Sequence, residues 1–179
     1  MSDFDFLYIF FVRTGQERKA LMEIQSAFDE PETACSIPTV ETLFRNQGMV
    51  RKEISLLFPG YVFLESPVRN TEFWNRAKKM SRGSTHILRP LCYGDTNLAA
   101  VHEEEREVLD RLWPRNHCIE VSKGVIVGDR VMITEGSLIG FESFIKAINR
   151  HKMQAVIELA FMGEKRLVTV GLEILEKLV

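Results

Sequence analysis

The stretch Leu57-Phe58-Pro59-Gly60-Tyr61-Val62-Phe63-Leu64 constrains the fold more than any other part of this chain, because it fixes a turn and the strand that leaves it. Pro59 presets its own φ and removes a backbone donor, while Gly60 reaches backbone angles that other residues avoid. The residues that follow alternate in the face they present. Tyr61 and Phe63 therefore share one side of the strand, and Val62 and Leu64 the other. Such a strand is either buried on both faces or offers its aromatic face to a partner.

The surrounding pattern supplies the rest of a domain. Phe6 to Val12 is a continuous apolar run that ends at Arg13-Thr14-Gly15, which predicts a buried strand and a turn. Thr14 and Glu17 have the spacing of a capping box, and Ala20, Leu21, Ile24, Ala27 and Phe28 repeat at helical intervals after it. Pro31 and Pro38 bracket an irregular connection. Val40 to Arg45 and Met49 to Ser55 then flank Asn46-Gln47-Gly48, which reads as a hairpin tip. Thr71 is placed to cap a second helix, with Phe73, Trp74, Ala77 and Met80 on one side and Gly83 at its end. Asn97 is placed to start a third, whose apolar stripe is Leu98, Val101, Val108, Leu109 and Leu112.

After Trp113-Pro114 the pattern changes to short strands at Val125 to Thr134, Phe144 to Ile148, Gln154 to Phe161 and Leu167 to Val170. Short strands joined by polar turns favour a small closed barrel, which leaves no exposed edges. The expected organisation is thus α+β, with a first domain over 1–113, a linker over 114–123 and a second domain over 124–179.

Composition narrows the function. No run approaches the ~18 apolar residues of a membrane span, and Phe6 to Val12 follows acidic rather than basic residues, so a cytoplasmic protein without a signal peptide or membrane partner is expected. Cys35, Cys92 and Cys118 are too widely spaced and too few for a disulfide framework. The net charge of −2 gives no global attraction to nucleic acid, so such binding requires local patches. One runs from Arg69 to Arg89, where Arg69, Arg76, Lys78, Lys79, Arg82 and Arg89 stand against Glu72 alone. The acidic run from Glu103 to Asp110 reads as a solvated helix face. His86, His102, His117 and His151 have no metal-ligand spacing. Nucleophile-elbow, phosphate-loop and dinucleotide motifs are missing too. No enzyme, metal or cofactor is expected.

The ordered motifs resemble a known family. A strand, Arg13-Thr14-Gly15-Gln16-Glu17, a helix, a hairpin and then Leu57-Phe58-Pro59-Gly60-Tyr61-Val62-Phe63 look like the N-terminal domain of NusG-family transcription elongation factors. Val127-Gly128-Asp129-Arg130-Val131 through Gly136, followed by Gly140-Phe141-Glu142, is similar to that family's KOW module. Within the family, Phe11 to Gly15, Arg150-His151-Lys152, Phe161-Met162-Gly163 and Leu172-Glu173-Ile174 most resemble the LoaP antiterminator branch. Ser137 stands where Pro is usual, Ser143 where Gly is usual, and Glu164 displaces a customary Arg.

The resemblance implies an antiparallel sheet flanked by helices, followed by an SH3-like KOW barrel. It also implies docking of an aromatic face on the clamp helices of bacterial RNA polymerase. By position the docking candidates are Tyr8, Phe11, Phe58, Tyr61 and Phe63, although a regular strand would point Tyr8 and Phe11 oppositely. For the second domain, LoaP-like members bind a nascent RNA hairpin. Lys146, Arg150, His151, Lys152, Lys165 and Arg166 are the candidates here, two of their clusters lying at predicted hairpin tips placed to converge at one end of a barrel. Arg76, Lys78, Lys79 and Arg82 are candidates for upstream or non-template DNA, or RNA. The implied function is a monomeric processive antiterminator. The alternatives are a general elongation factor that couples polymerase to a ribosomal protein or termination factor, and a ribosome-associated KOW protein.

Overall fold

In the computed structural model, residues 6–113 and 116–178 are described. In chain order the elements are β1 (Phe6–Val12), α1 (Glu17–Ala27), β2 (Ala34–Ser36), β3 (Thr39–Asn46), β4 (Met49–Leu56), β5 (Tyr61–Ser66), α2 (Asn70–Gly83), β6 (Ile87–Pro90), α3 (Glu103–Leu112), β7 (Cys118–Ile119), β8 (Ser122–Val127), β9 (Arg130–Glu135), a 3₁₀ helix at Glu142–Phe144, β10 (Ile145–Asn149), β11 (Gln154–Phe161) and β12 (Glu164–Leu178). They form two compact units, Met1–Pro38 with Phe58–Glu107, and Thr39–Leu57 with Val108–Val179. The β3–β4 segment thus belongs with the C-terminal strands. The division at Glu107 lies a few residues before the expected boundary at Trp113, and Pro114 and Arg115 of the expected linker lie outside the described residues.

The first unit is built on an antiparallel sheet in the order β2-β5-β1-β6. Its helix-covered face is apolar at every second residue. Tyr8, Phe10 and Val12 of β1 and Val62 and Leu64 of β5 pack with Ala20 and Ile24 of α1, with Phe28 just beyond it, and with Phe73 and Ala77 of α2; all are fully buried. The helices start differently from the expected pattern. Thr14 makes no capping box: Gln16 is the N-cap of α1, without a side-chain cap, and the Glu17 carboxylate instead accepts the Gly60 N–H at 2.9 Å.

The third helix starts six residues later than Asn97, because the residues between are committed elsewhere. The Asn70 Oδ1 accepts the N–H of Ala99 at 2.7 Å and of Ala100 at 3.2 Å, the Leu98 carbonyl accepts the Tyr93 N–H, and the Val101 N–H donates to the Leu7 carbonyl of β1. A backbone used this way cannot also form i→i−4 bonds.

In the second unit, β3 and β4 join through a two-residue turn with Gln47 at φ 49 and Gly48 at φ 81, the paired positive angles of a type I′ hairpin. Strand β3 also pairs in parallel with β7. The remaining strands form a five-stranded sheet in the order β10-β11-β12-β8-β9. What reads in sequence as one strand over Val125 to Thr134 is folded at Gly128, φ 61, into β8 and β9. Strand β12 runs well past Val170: its first half pairs antiparallel with β11 and its second half parallel with β8.

The expected closed barrel is not formed among the described residues, since β9 and β10 remain the two edges of this sheet. Instead of bonding a β10 carbonyl, the Ile133 N–H of β9 donates to the Glu142 carboxylate at 3.2 Å. The departures from the KOW pattern also have places. Ser137 Oγ accepts the Glu120 N–H at 2.9 Å, and Ser143 lies in the 3₁₀ helix with no left-handed backbone angle.

Candidate functional surface

The Pro-Gly turn sets the geometry of the sheet face opposite α1 and α2. The Tyr61 N–H donates to the Phe58 carbonyl at 3.2 Å and Gly60 sits at φ 85, the positive-φ third position of a type II turn. The Gly60 carbonyl accepts the Val12 N–H at 2.8 Å, tying the turn to the end of β1. That contact continues the register in which Phe11 faces Tyr61 and Ile9 faces Phe63 directly across the strands.

Directly opposed side chains share a face. Phe11 and Tyr61 are both half-buried, with ring centroids 5.3 Å apart. Phe58 and Phe63 stack at 6.1 Å but are buried, at 6% and 1% exposure.

Tyr8 lies on the other side of the sheet. Its ring stacks on Phe73 at 3.7 Å and its hydroxyl donates to the Val68 carbonyl at 2.6 Å, with no exposed surface. Burial pushes its phenol pKa up. A side chain so placed has nothing to offer a partner: Tyr8 belongs to the core, not to the docking face expected from sequence. The structure therefore brings Phe11 and Tyr61 together at the surface, sets Phe58 and Phe63 beneath, and separates Tyr8 from all four.

The cationic candidates also divide. Arg76 is occupied inside the first unit: Nη1 pairs with Glu30 and with Glu72 at 3.3 Å, Nη2 donates to the Ala27 carbonyl, and the guanidinium lies 4.5 Å from the Phe28 ring centroid. Burial works to raise the Glu30 carboxyl pKa, but the hydrogen bond and charge of Arg76 outweigh it and hold it below the usual carboxylate range. Arg76 is thus a structural clamp. Lys78 lies over Trp74 at 5.2 Å, and Lys79 and Arg82 are exposed. Lys78, Arg82 and Arg89 border a groove of about 310 Å³ whose walls include Trp74, Leu88 and Pro90.

In the second unit the two basic turns do not converge. Arg150 to Lys152 precede Gln154 at the start of β11, whereas Lys165 and Arg166 follow its end at Phe161. At ~3.3 Å per residue the turns at the two ends of β11 stand about 23 Å apart, and Lys165 and Arg166 lie just past the far one, in β12 opposite Ala160 and Leu159. Lys146 and Lys165 flank Glu158 at 3.6 and 3.2 Å, and Arg166 pairs with Glu164 and lies over Phe161. Arg150, His151 and Lys152 are exposed and have no carboxylate partner among the described residues.

A feature that sequence reading missed adjoins the Arg150–Lys152 turn. A cleft of about 360 Å³ is lined by Leu43, Phe44 and Arg45 of β3 together with His151, Lys152 and Gln154. Arg45 Nη2 lies 3.9 Å from Met153 Sδ, across 108 residues of sequence. No local pattern signals a contact at that separation.

Three comparisons bear on this arrangement. A family model described as "Transcription termination factor nusG" matches residues 6–110. A solved structure described as "Domain interaction in Thermotoga maritima NusG" is similar over 94% of this chain and 93% of that one, with a TM-score of 0.51 and 22% identity, a likeness that carries the fold. Among curated proteins there is no match.

Proposed function

The chain belongs to the NusG family of transcription factors, and on that premise we propose that it is a non-enzymatic, processive antiterminator of the LoaP type. NusG-family proteins bind RNA polymerase. In this reading the first unit docks on the polymerase clamp helices through Phe11 and Tyr61, supported from beneath by Phe58 and Phe63. The second unit holds a nascent RNA hairpin through Arg150, His151 and Lys152, while Lys78, Lys79 and Arg82 face upstream or non-template DNA. The protein works as a monomer.

The observation that carries this reading is the half-buried Phe11–Tyr61 pair on the sheet face opposite α1 and α2. Two aromatics held by a fixed turn supply apolar contact area at small entropic cost, and Tyr adds a polar tip, the properties of an interface anchor. Docking there opposes pausing by holding the polymerase in one processive state. The finer assignment to an RNA-recruited antiterminator is supported by the accessible Arg150-His151-Lys152 turn, whose cations have no carboxylate partner among the described residues and so remain available to phosphates.

A reconstituted transcription assay tests the proposal. Phe11→Ala with Tyr61→Ala should abolish terminator readthrough while the circular dichroism spectrum is kept, and unchanged readthrough would exclude the docking face. Charge reversal at Arg150 and Lys152 should remove dependence on the RNA hairpin without loss of polymerase binding.

A further inference from the structure

We infer that the RNA site of the second unit is composite: Phe44 and Arg45 of the β3–β4 hairpin and the Arg150–Lys152 turn form one cleft that captures an unpaired loop nucleotide. The inference rests on the reading of this unit as RNA-binding and names what that site selects. Arg150, His151 and Lys152 alone would give a small exposed patch that recognises phosphates without regard to secondary structure. The cleft adds a second wall from a strand more than a hundred positions earlier.

That wall has the chemistry of base recognition. Phe44 is 51% exposed, an unusual placement for a large aromatic that has no ring partner among the described residues. Arg45 is exposed and has no carboxylate partner among the described residues; its guanidinium instead meets the soft Met153 sulfur. Unstacked bases bind by stacking on aromatic rings and guanidinium planes, with neighbouring cations on the phosphates.

A cleft of about 360 Å³ falls in the size range of small-molecule sites and admits one nucleotide, not a duplex. A double-stranded stem would meet the outer cations only, through its phosphates and 2′-hydroxyls. The type I′ turn at Gln47-Gly48 keeps the hairpin short and rigid, so the wall is preformed.

The test measures binding of the full chain to a pool of stem-loop RNAs with a constant stem and randomised loop, and to the same stem as a blunt duplex. Phe44→Ala and Arg45→Ala should each weaken stem-loop binding roughly tenfold and leave duplex binding unchanged. Arg45→Lys should keep the salt dependence but lose the preference for the looped RNA. Arg150→Ala with Lys152→Ala should weaken both RNAs.

If Phe44→Ala and Arg45→Ala leave stem-loop affinity unchanged while Arg150→Ala with Lys152→Ala lowers it, the composite cleft is overturned and the RNA reading stands. Equal losses on both RNAs would also overturn it, as phosphate contact alone. Absence of binding of the unmodified chain to either RNA would overturn both readings. Phe44 and Arg45 are exposed, so these variants keep the fold.

Discussion

The Gly60 backbone N–H donates to the carboxylate of Glu17 at 2.9 Å, which joins the turn before the candidate docking strand to the first residue of α1. Glu17 is 5% exposed, and the clasp accounts for a carboxylate at that depth. It sits in the first turn of a helix, where the macrodipole favours negative charge, and accepts backbone N–H groups of its own residue, Gly15 and Gly60. Two loops that come from sequence positions more than forty residues apart are thereby held in one geometry.

The first prediction concerns that carboxylate. Burial works to raise its pKa, but the three backbone donors outweigh burial and hold it below the usual carboxylate range. A group whose folded pKa lies under its unfolded value of about 4.3 stabilises the fold above that value and loses the contribution as pH falls through the folded pKa. Glu17→Gln should therefore cost about 1–2 kcal/mol at neutral pH, and the gap to the unmodified chain should narrow as the pH falls below about 4.3 and close beneath the folded pKa. Urea denaturation at the two pH values measures it, and a gap that persists in acid would show that shape, not charge, matters there.

Gly60 itself should tolerate no side chain. At φ 85 an added Cβ would lie 3.2 Å from Thr14 Oγ1 and 3.4 Å from the Val12 carbonyl. Gly60→Ala should lower stability by about 1–2 kcal/mol from the left-handed angle alone. Thr14→Ala in the same chain removes the close contact but not the backbone strain, so it should restore only part of the loss in thermal melts.

These relationships show what sequence could and could not give. The alternation of Tyr61, Val62, Phe63 and Leu64 is readable because strand periodicity is local, and the Asn46-Gln47-Gly48 tip is readable because a positive φ favours Gly wherever it occurs. Which face of β1 is covered is not local: Tyr8 is core because α2 brings Phe73 onto it and Val68 offers a carbonyl 60 residues away. The late start of α3 depends on Asn70 capturing Ala99 and Ala100, and the open sheet on Glu142 taking the Ile133 N–H. Each is a competition for a backbone donor won by a side chain from another segment. The Arg45–Lys152 cleft is the extreme case, since its two walls have no shared sequence pattern at all.

Tyr8 and Tyr61 should separate cleanly in experiment. Tyr8→Phe removes the buried hydroxyl and strands the Val68 carbonyl, at a cost of about 1–3 kcal/mol, yet polymerase affinity per folded molecule should not change. Tyr61→Ala should do the reverse, with a small stability change and a large loss of polymerase binding. Parallel melts and polymerase pull-downs distinguish them, and loss of binding in the Tyr8→Phe protein would return that residue to the docking surface.

The β3–β4 tip offers a stabilising change. Gln47 holds φ 49 at the first central position of a type I′ turn, where Asn is preferred because its side chain tolerates the left-handed region. Gln47 is exposed, so no packing is lost. Gln47→Asn should raise stability by about 0.5–1 kcal/mol, whereas Gly48→Ala, at φ 81, should lower it by a similar or larger amount. Chemical denaturation checks both signs.

The divided basic residues give the last prediction. Lys146 and Lys165 share the Glu158 carboxylate, and the hydrogen bond from Lys165, followed by the charges of both lysines, holds that carboxyl below its usual range. A cation already neutralised by a carboxylate releases little counterion when it meets a phosphate, while Arg150 and Lys152 have no carboxylate partner among the described residues. Lys152→Ala should thus lower RNA affinity and reduce the slope of log affinity against log salt by about one, and Lys165→Ala should change the slope much less. Equal slopes for the Lys152→Ala and Lys165→Ala proteins would mean that RNA spans both ends of β11, some 23 Å apart at ~3.3 Å per residue, and that the turn beside Arg45 is not the principal contact.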